Sequence, residues 1–85
     1  MKKYEEAFEN IVNQEKKSAI DGSRNYTSAD QAQEYVAFGL RGATEVAIYD
    51  NELTSEEFDN LLHLRSTLFE EFAAWTETHK QYYNP

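Results

Sequence analysis

The sequence contains no cysteine, only one proline and only three glycines among its 85 residues. Without cysteine, neither disulfides nor thiolate metal ligands are available, and this favours a reducing compartment. The glycines (Gly22, Gly39 and Gly42) form no phosphate-binding or dinucleotide-binding pattern. No serine stands in a Gly-x-Ser-x-Gly nucleophile turn either. We therefore expect a protein that is not an enzyme and binds no cofactor.

Long apolar runs are also missing. The first residues lack the apolar core of a signal peptide, and no stretch approaches the ~20 apolar residues of a membrane span. Hydrophobic residues nevertheless make up 40% of the chain and aromatic residues 14%, too much for a disordered chain. These features predict one small domain over residues 1–85, located in the cytoplasm and without a membrane partner.

Basic residues are scarce. Sixteen acids against eight bases give a formal charge of −8, which would repel phosphates, so we expect no direct contact with nucleic acid. No Lys or Arg lies between Arg41 and Arg65, and six acids and no bases give −6 over residues 42–64. We call residues 45–59 the acidic segment; its acids are Glu45, Asp50, Glu52, Glu56, Glu57 and Asp59. Helix dipoles favour Glu56 and Glu57 near a helix start, but they do not explain Glu45, Asp50 and Glu52 or the lack of any compensating base.

Apolar residues recur at steps of three and four in three stretches, which predicts helices over about 3–20, 28–49 and 54–82. The first has acids early and Lys16 and Lys17 late, and Gly22 is its expected stop. In the third, Thr54 and Glu57 form a capping box, with Leu53 and Phe58 at the positions of a hydrophobic staple. Residues 21–27 are predicted to form a loop.

The second helix is the least regular. Ser28 is its expected cap, with Gln31 at the third helical position. Gly39 and Gly42 each cost roughly 0.8–1 kcal/mol relative to Ala, so we expect the helix to be bent or interrupted there. The aromatic residues at helical spacing, including Tyr35 and Phe38, are interpreted as core, whereas Tyr49 is a candidate for exposure.

Residues 45–57 (Glu-Val-Ala-Ile-Tyr-Asp-Asn-Glu-Leu-Thr-Ser-Glu-Glu) resemble the closing strand and turn of laminin-G-like, concanavalin-type sandwiches. The resemblance implies that residues 45–49 are extended. A lone strand would leave backbone groups unpaired, and the flanking segments have helical patterns, so a helix is preferred.

These helices and short connections predict an all-α fold, either a three-helix bundle or a long helical hairpin with the first helix packed across it. The third helix is expected to be the longest by far, spanning roughly 42 Å and outrunning its partners. Its exposed end, which bears Trp75 and Tyr82, would then be covered by a protein partner or by a second copy, in which case the homodimer seam is expected at Leu68, Phe72, Trp75 and Tyr82. Residues 83–85 are expected to fray.

The two histidines, His63 and His79, are candidate metal ligands. Glu56, Asp59 and His63 share one helix face, but zinc usually requires three or four ligands and only one helix contributes here. The Glu-x-x-His pattern of di-iron bundles is absent at both His63 and His79. His79 is interpreted as a packing residue, and no metal site is predicted.

The function that these features favour is binding to another protein. The leading hypothesis is a small acidic inhibitor or regulator whose partner is a basic or nucleic-acid-binding protein. In its most concrete form, a phage or mobile-element antagonist occupies the nucleic-acid groove of a host defence protein. The predicted contact residues are Glu45, Tyr49, Asp50, Glu52, Glu56, Glu57 and Asp59. The alternatives are a structural, oligomerising module and an antitoxin or immunity protein.

Overall fold

The computed structural model describes residues 3–22, 28–50 and 52–83, and this part of the chain is helical without any strand. The elements in order are α1 (Lys3–Asp21), α2 (Ala29–Asp50), α3 (Ser55–Thr78) and a terminal 3-10 turn (Lys80–Tyr82). The all-α prediction is confirmed. Every pair of the three helices is in contact, as a three-helix bundle requires.

Helix α1 ends where the sequence predicts. Gly22 has a φ of +72°, the left-handed conformation that glycine adopts without strain just past a helix end. The last turn contains no basic residue, so the expected dipole role of Lys16 and Lys17 is not fulfilled there. The ammonium of Lys16 instead lies 5.8 Å from the ring centroid of Trp75, within cation–π range. Residues 23–27 of the predicted loop lie outside the described part of the chain.

Helix α2 is continuous, and its start is capped as predicted because the Ser28 hydroxyl accepts a hydrogen bond from the Gln31 backbone N–H at 3.2 Å. The predicted interruption at the glycines is wrong. A Cβ at Gly39 would lie only 3.0 Å from Cγ2 of Ile11, so this glycine lets α1 and α2 approach closely. Residues 45–49 are helical as well, so the extended strand that the sandwich resemblance implies is wrong.

Helix α3 is shorter than predicted. It has 24 residues against 22 for α2, and it ends at Thr78 instead of Tyr82. Beyond Thr78 the backbone of His79 leaves helical geometry, and its Nδ1 lies 2.8 Å from the Trp75 carbonyl oxygen. At 1.5 Å per residue, the 24 residues of α3 span about 36 Å and the 22 residues of α2 about 33 Å. The third helix therefore does not outrun the bundle.

The core draws on all three helices and on the C-terminal turn. Its buried members are Phe8, Val12, Ala19, Ala32, Val36, Leu40, Ala47, Leu61, Phe72 and Tyr83. The fraying expected at Tyr83 is wrong, since its side chain is only 5% exposed and its ring meets Trp75 edge-on at 6.3 Å. The turn holds it there because the Tyr83 N–H donates to the Lys80 carbonyl at 2.9 Å. Asn84 and Pro85 lie outside the described residues.

Candidate functional site

The described residues of the acidic segment, 45–50 and 52–59, belong to the end of α2, the start of α3 and the three residues that precede α3, a region that we call the corner. Its geometry is fixed by the predicted capping box at Thr54. The Thr54 hydroxyl accepts a hydrogen bond from the Glu57 N–H, and the Glu57 carboxylate accepts one from the Thr54 N–H, both at 3.1 Å. Leu53 packs against the core, which holds the corner to the bundle. These contacts fix the backbone that carries the neighbouring acids.

The predicted contact residues are placed in two groups. Those with exposed side chains are Glu45, Tyr49, Asp50, Glu52, Glu56 and Asp59. Glu57 is half-buried because its carboxylate caps α3, so it is committed to the fold. Six of the seven predicted residues are thus exposed, and four of them (Tyr49, Asp50, Glu52 and Asp59) line the same depression, whereas Glu45 and Glu56 do not.

A solvent-open depression of about 880 Å³ lies between the end of α2 and the first turns of α3. Its apolar lining is formed by Ile48, Tyr49, Leu53 and Phe58, and its acidic lining by Asp50, Glu52 and Asp59. Tyr49 stands out at 87% exposure. An apolar depression bordered by carboxylates can receive an apolar side chain of a partner while the acids pair with surrounding bases.

Helix electrostatics do not account for all of these acids. Glu45 lies five residues before the end of α2 and outside its last turn, whereas Asp50 is the last residue and stands at the negative end of that helix. A carboxylate there is repelled by the helix dipole, whereas Glu56 and Glu57 at the start of α3 are stabilised by it. The helix dipole therefore gives no stabilising role to the carboxylate of Asp50.

Sequence reasoning missed part of the exposed apolar surface. Tyr35 and Phe38 were expected in the core, yet they are 43% and 71% exposed. Val46 and Ile48 are also exposed, at 58% and 41%. The spacing of these residues offered a signal, because they do not share a helix face with Val36 and Leu40, which are buried.

The predicted dimer seam lies mostly inside the monomer. Phe72 has no exposed surface, and Leu68 and Trp75 are partly buried against the core. Tyr82 is 38% exposed. A second copy would reach little of this set without opening the bundle. Homodimer formation itself remains a prediction.

The two histidines make no metal cluster with neighbouring acids in the described ranges. His79 stacks on Trp75 with ring centroids 4.3 Å apart, as expected of a packing residue, while His63 is exposed. Within the same ranges, no helix is long and apolar enough to cross a membrane. Comparison of the chain with protein-family models, curated proteins and solved structures finds no match.

Proposed function

We propose that this protein acts by binding a basic protein surface at the corner between α2 and α3. The observation that carries the proposal is the depression at that corner, whose apolar lining is bordered by exposed carboxylates. Tyr49 supplies a projecting aromatic side chain, the type of residue that is enriched among binding hot spots. Its position in the depression makes it the expected anchor.

The charge pattern defines the class of partner. Residues 42–64 carry six acids and no Lys or Arg, so the corner has no basic residue of its own sequence segment to neutralise it. A field of this kind accelerates encounter with a basic surface and disfavours acidic ones. Proteins that bind nucleic acid have such basic surfaces, and a ligand seated there would compete with the nucleic acid.

The form of this function that we favour is an inhibitor or regulator that occupies the nucleic-acid groove of its target, as a phage or mobile-element antagonist of a host defence protein would do. An antitoxin or immunity protein would use the same acidic surface against a basic toxin. The identity of the captured partner separates the two forms.

The first experiment captures partners from a lysate and then measures the affinity of the purified pair for wild-type protein and for a triple variant, Glu52→Lys with Glu56→Lys and Asp59→Lys. All three side chains are exposed, so the fold should persist. We expect affinity to fall by about 100-fold, because three favourable charges become three unfavourable ones. Nucleic acid should compete with wild-type protein for the partner.

The matched control carries the same change in net charge elsewhere, with Glu6→Lys, Glu70→Lys and Glu71→Lys, all exposed in α1 or α3. It should bind within a few-fold of wild type if position matters and not only total charge. Binding of the corner variant at wild-type strength, or an equal loss in both variants, would refute the proposed site. Tyr49→Ala tests the apolar anchor separately, with an expected loss of about 30-fold.

A further inference from the structure

The outward face of α2 carries an apolar stripe from Tyr35 to Tyr49, near the end of the helix. Its members lie at steps of three, four, four and three residues: Tyr35, Phe38, Gly42, Val46 and Tyr49. All five are exposed, and Phe38 and Tyr49 are the most exposed at 71% and 87%. At 100° per residue, the five positions fall within an arc of about 80° around the helix axis. We call this set the α2 stripe; the outward face of a surface helix is normally polar.

The α2 stripe is symmetric about Gly42. Phe38 and Val46 lie four residues before and after it, and Tyr35 and Tyr49 lie seven before and after. Open space surrounds the position where a Cβ of Gly42 would stand, with no heavy atom of a neighbouring element within 4 Å. The smallest residue therefore stands at the centre of the stripe, with large side chains at equal distances on both sides.

We propose that the α2 stripe is the seam of an antiparallel homodimer, with the two-fold axis passing at Gly42. In such a pair, a residue a given number of positions before Gly42 lies level with the residue the same number after it in the second copy. Phe38 then packs against Val46, and Tyr35 against Tyr49. This symmetric spacing is of no use to an unrelated partner, whereas it lets the large side chains of two antiparallel copies meet on both sides of the axis.

The charges beside the stripe are self-complementary in the same arrangement. Arg41 and Glu45 are four residues apart, on one flank of the stripe, and both are exposed. Neither forms an ion pair with any other residue that the structure describes. A two-fold axis perpendicular to both helices places this flank of one copy beside the same flank of the other. Arg41 is then offset from Glu45 of the second copy by two residues, or about 3 Å along the direction of the helices. The dimer would thus contain two such pairs.

One stripe on one helix buries less than the roughly 800 Å² per partner of a standard interface, so the dimer should be weak. We expect a dissociation constant on the order of 10–100 μM. The charge of −8 on each copy opposes association, and added salt screens it. Association should therefore strengthen between low and physiological ionic strength.

Sedimentation equilibrium on the purified protein alone tests the proposal, over about 5–500 μM at physiological salt. The wild-type mass should rise from 9.9 kDa toward twice that value. Gly42→Lys should remain monomeric, because two ammonium groups would meet at the axis, although the substitution favours the helix and lowers the negative charge. Ala74→Lys, exposed on α3, makes the same charge change away from the seam and should dimerise like wild type.

A charge exchange tests the antiparallel register. Arg41→Glu and Glu45→Arg should each weaken self-association by about tenfold, because each places like charges across the seam. Mixing the two single variants should give heterodimers of near wild-type strength, since every cross-seam pair is then restored.

A constant mass of 9.9 kDa for wild type over the whole range would overturn the proposal. Equal association of the Gly42→Lys and wild-type proteins would overturn the position of the seam, as would a mixture no stronger than its two components. These measurements involve no partner and leave Glu52, Glu56 and Asp59 unchanged. They therefore test the seam without the corner partner. Tyr49 belongs to both surfaces, so a dimer would compete with the corner partner for this side chain.

Discussion

The two glycines in the middle of α2 should respond in opposite ways to the same substitution. Gly42 has open space at its Cβ position, so Gly42→Ala removes only the conformational cost of glycine. We expect the free energy of unfolding to rise by about 0.8–1 kcal/mol. For a domain of this size, this corresponds to an increase in Tm of about 4–8 °C.

Gly39→Ala gains the same helix propensity but creates a contact of 3.0 Å with Cγ2 of Ile11. Ile11 is β-branched and strongly prefers one χ1 rotamer in a helix, so the methyl group cannot readily turn away. Overpacking of this kind costs about 1–3 kcal/mol. The net effect of Gly39→Ala should therefore lie between no change and a loss of about 2 kcal/mol.

A double-mutant cycle isolates the contact. In an Ile11→Ala background the opposing methyl group is gone, and Gly39→Ala should then give the full gain of about 0.8–1 kcal/mol. Urea unfolding followed by circular dichroism at micromolar protein concentration measures all four variants as monomers. If Gly39→Ala and Gly42→Ala stabilise the wild-type background equally, the close approach of α1 and α2 at Gly39 is refuted.

Three further predictions concern the ends of the helices and use the same unfolding measurement. Thr54→Ala should lower the free energy of unfolding by about 1 kcal/mol, whereas Thr54→Ser keeps the capping hydroxyl and should lose much less; equal losses would contradict the cap. Asp50→Asn should raise the free energy of unfolding by about 0.3–1 kcal/mol, because it removes a carboxylate from the negative end of α2, and it should also weaken binding at the corner. A loss of stability would contradict the assumed effect of the helix dipole. Tyr83→Ala should cost about 3 kcal/mol and Tyr82→Ala clearly less, because only the first ring is buried; similar costs would show that the terminal turn is not part of the core.

Features that depend on neighbouring residues were predictable from the sequence. The capping box at Thr54 and the stop at Gly22 are decided within one turn of chain, and both are confirmed. The exposure of the acids at the corner follows from the cost of burying unpaired charge. The same locality explains Glu57, whose place three residues after Thr54 assigns its carboxylate to the cap.

Features that depend on the space between helices were not predictable. Helix α2 has apolar residues on two faces, and hydrophobicity alone does not tell which face turns inward. The buried face carries Ala32, Val36 and Ala47, and the exposed face carries Tyr35 and Phe38. With a Cβ at Gly39 only 3.0 Å from Ile11, the gap to α1 accepts small side chains and excludes large rings. Side-chain volume at this close approach, which periodicity does not report, is therefore one reason that Tyr35 and Phe38 lie outside the core.

The stacked surroundings of Trp75 have an optical consequence. Trp75 is the one tryptophan of the chain, and it lies between the ring of His79 at 4.3 Å and the ammonium of Lys16 at 5.8 Å. Twenty helical residues, or about 30 Å, separate it from the start of α3 at the acidic corner. Its fluorescence emission therefore reports the packing of the opposite end of the bundle. A ligand that binds the corner of the folded protein should leave this emission unchanged, so the tryptophan is an internal reference for an intact fold.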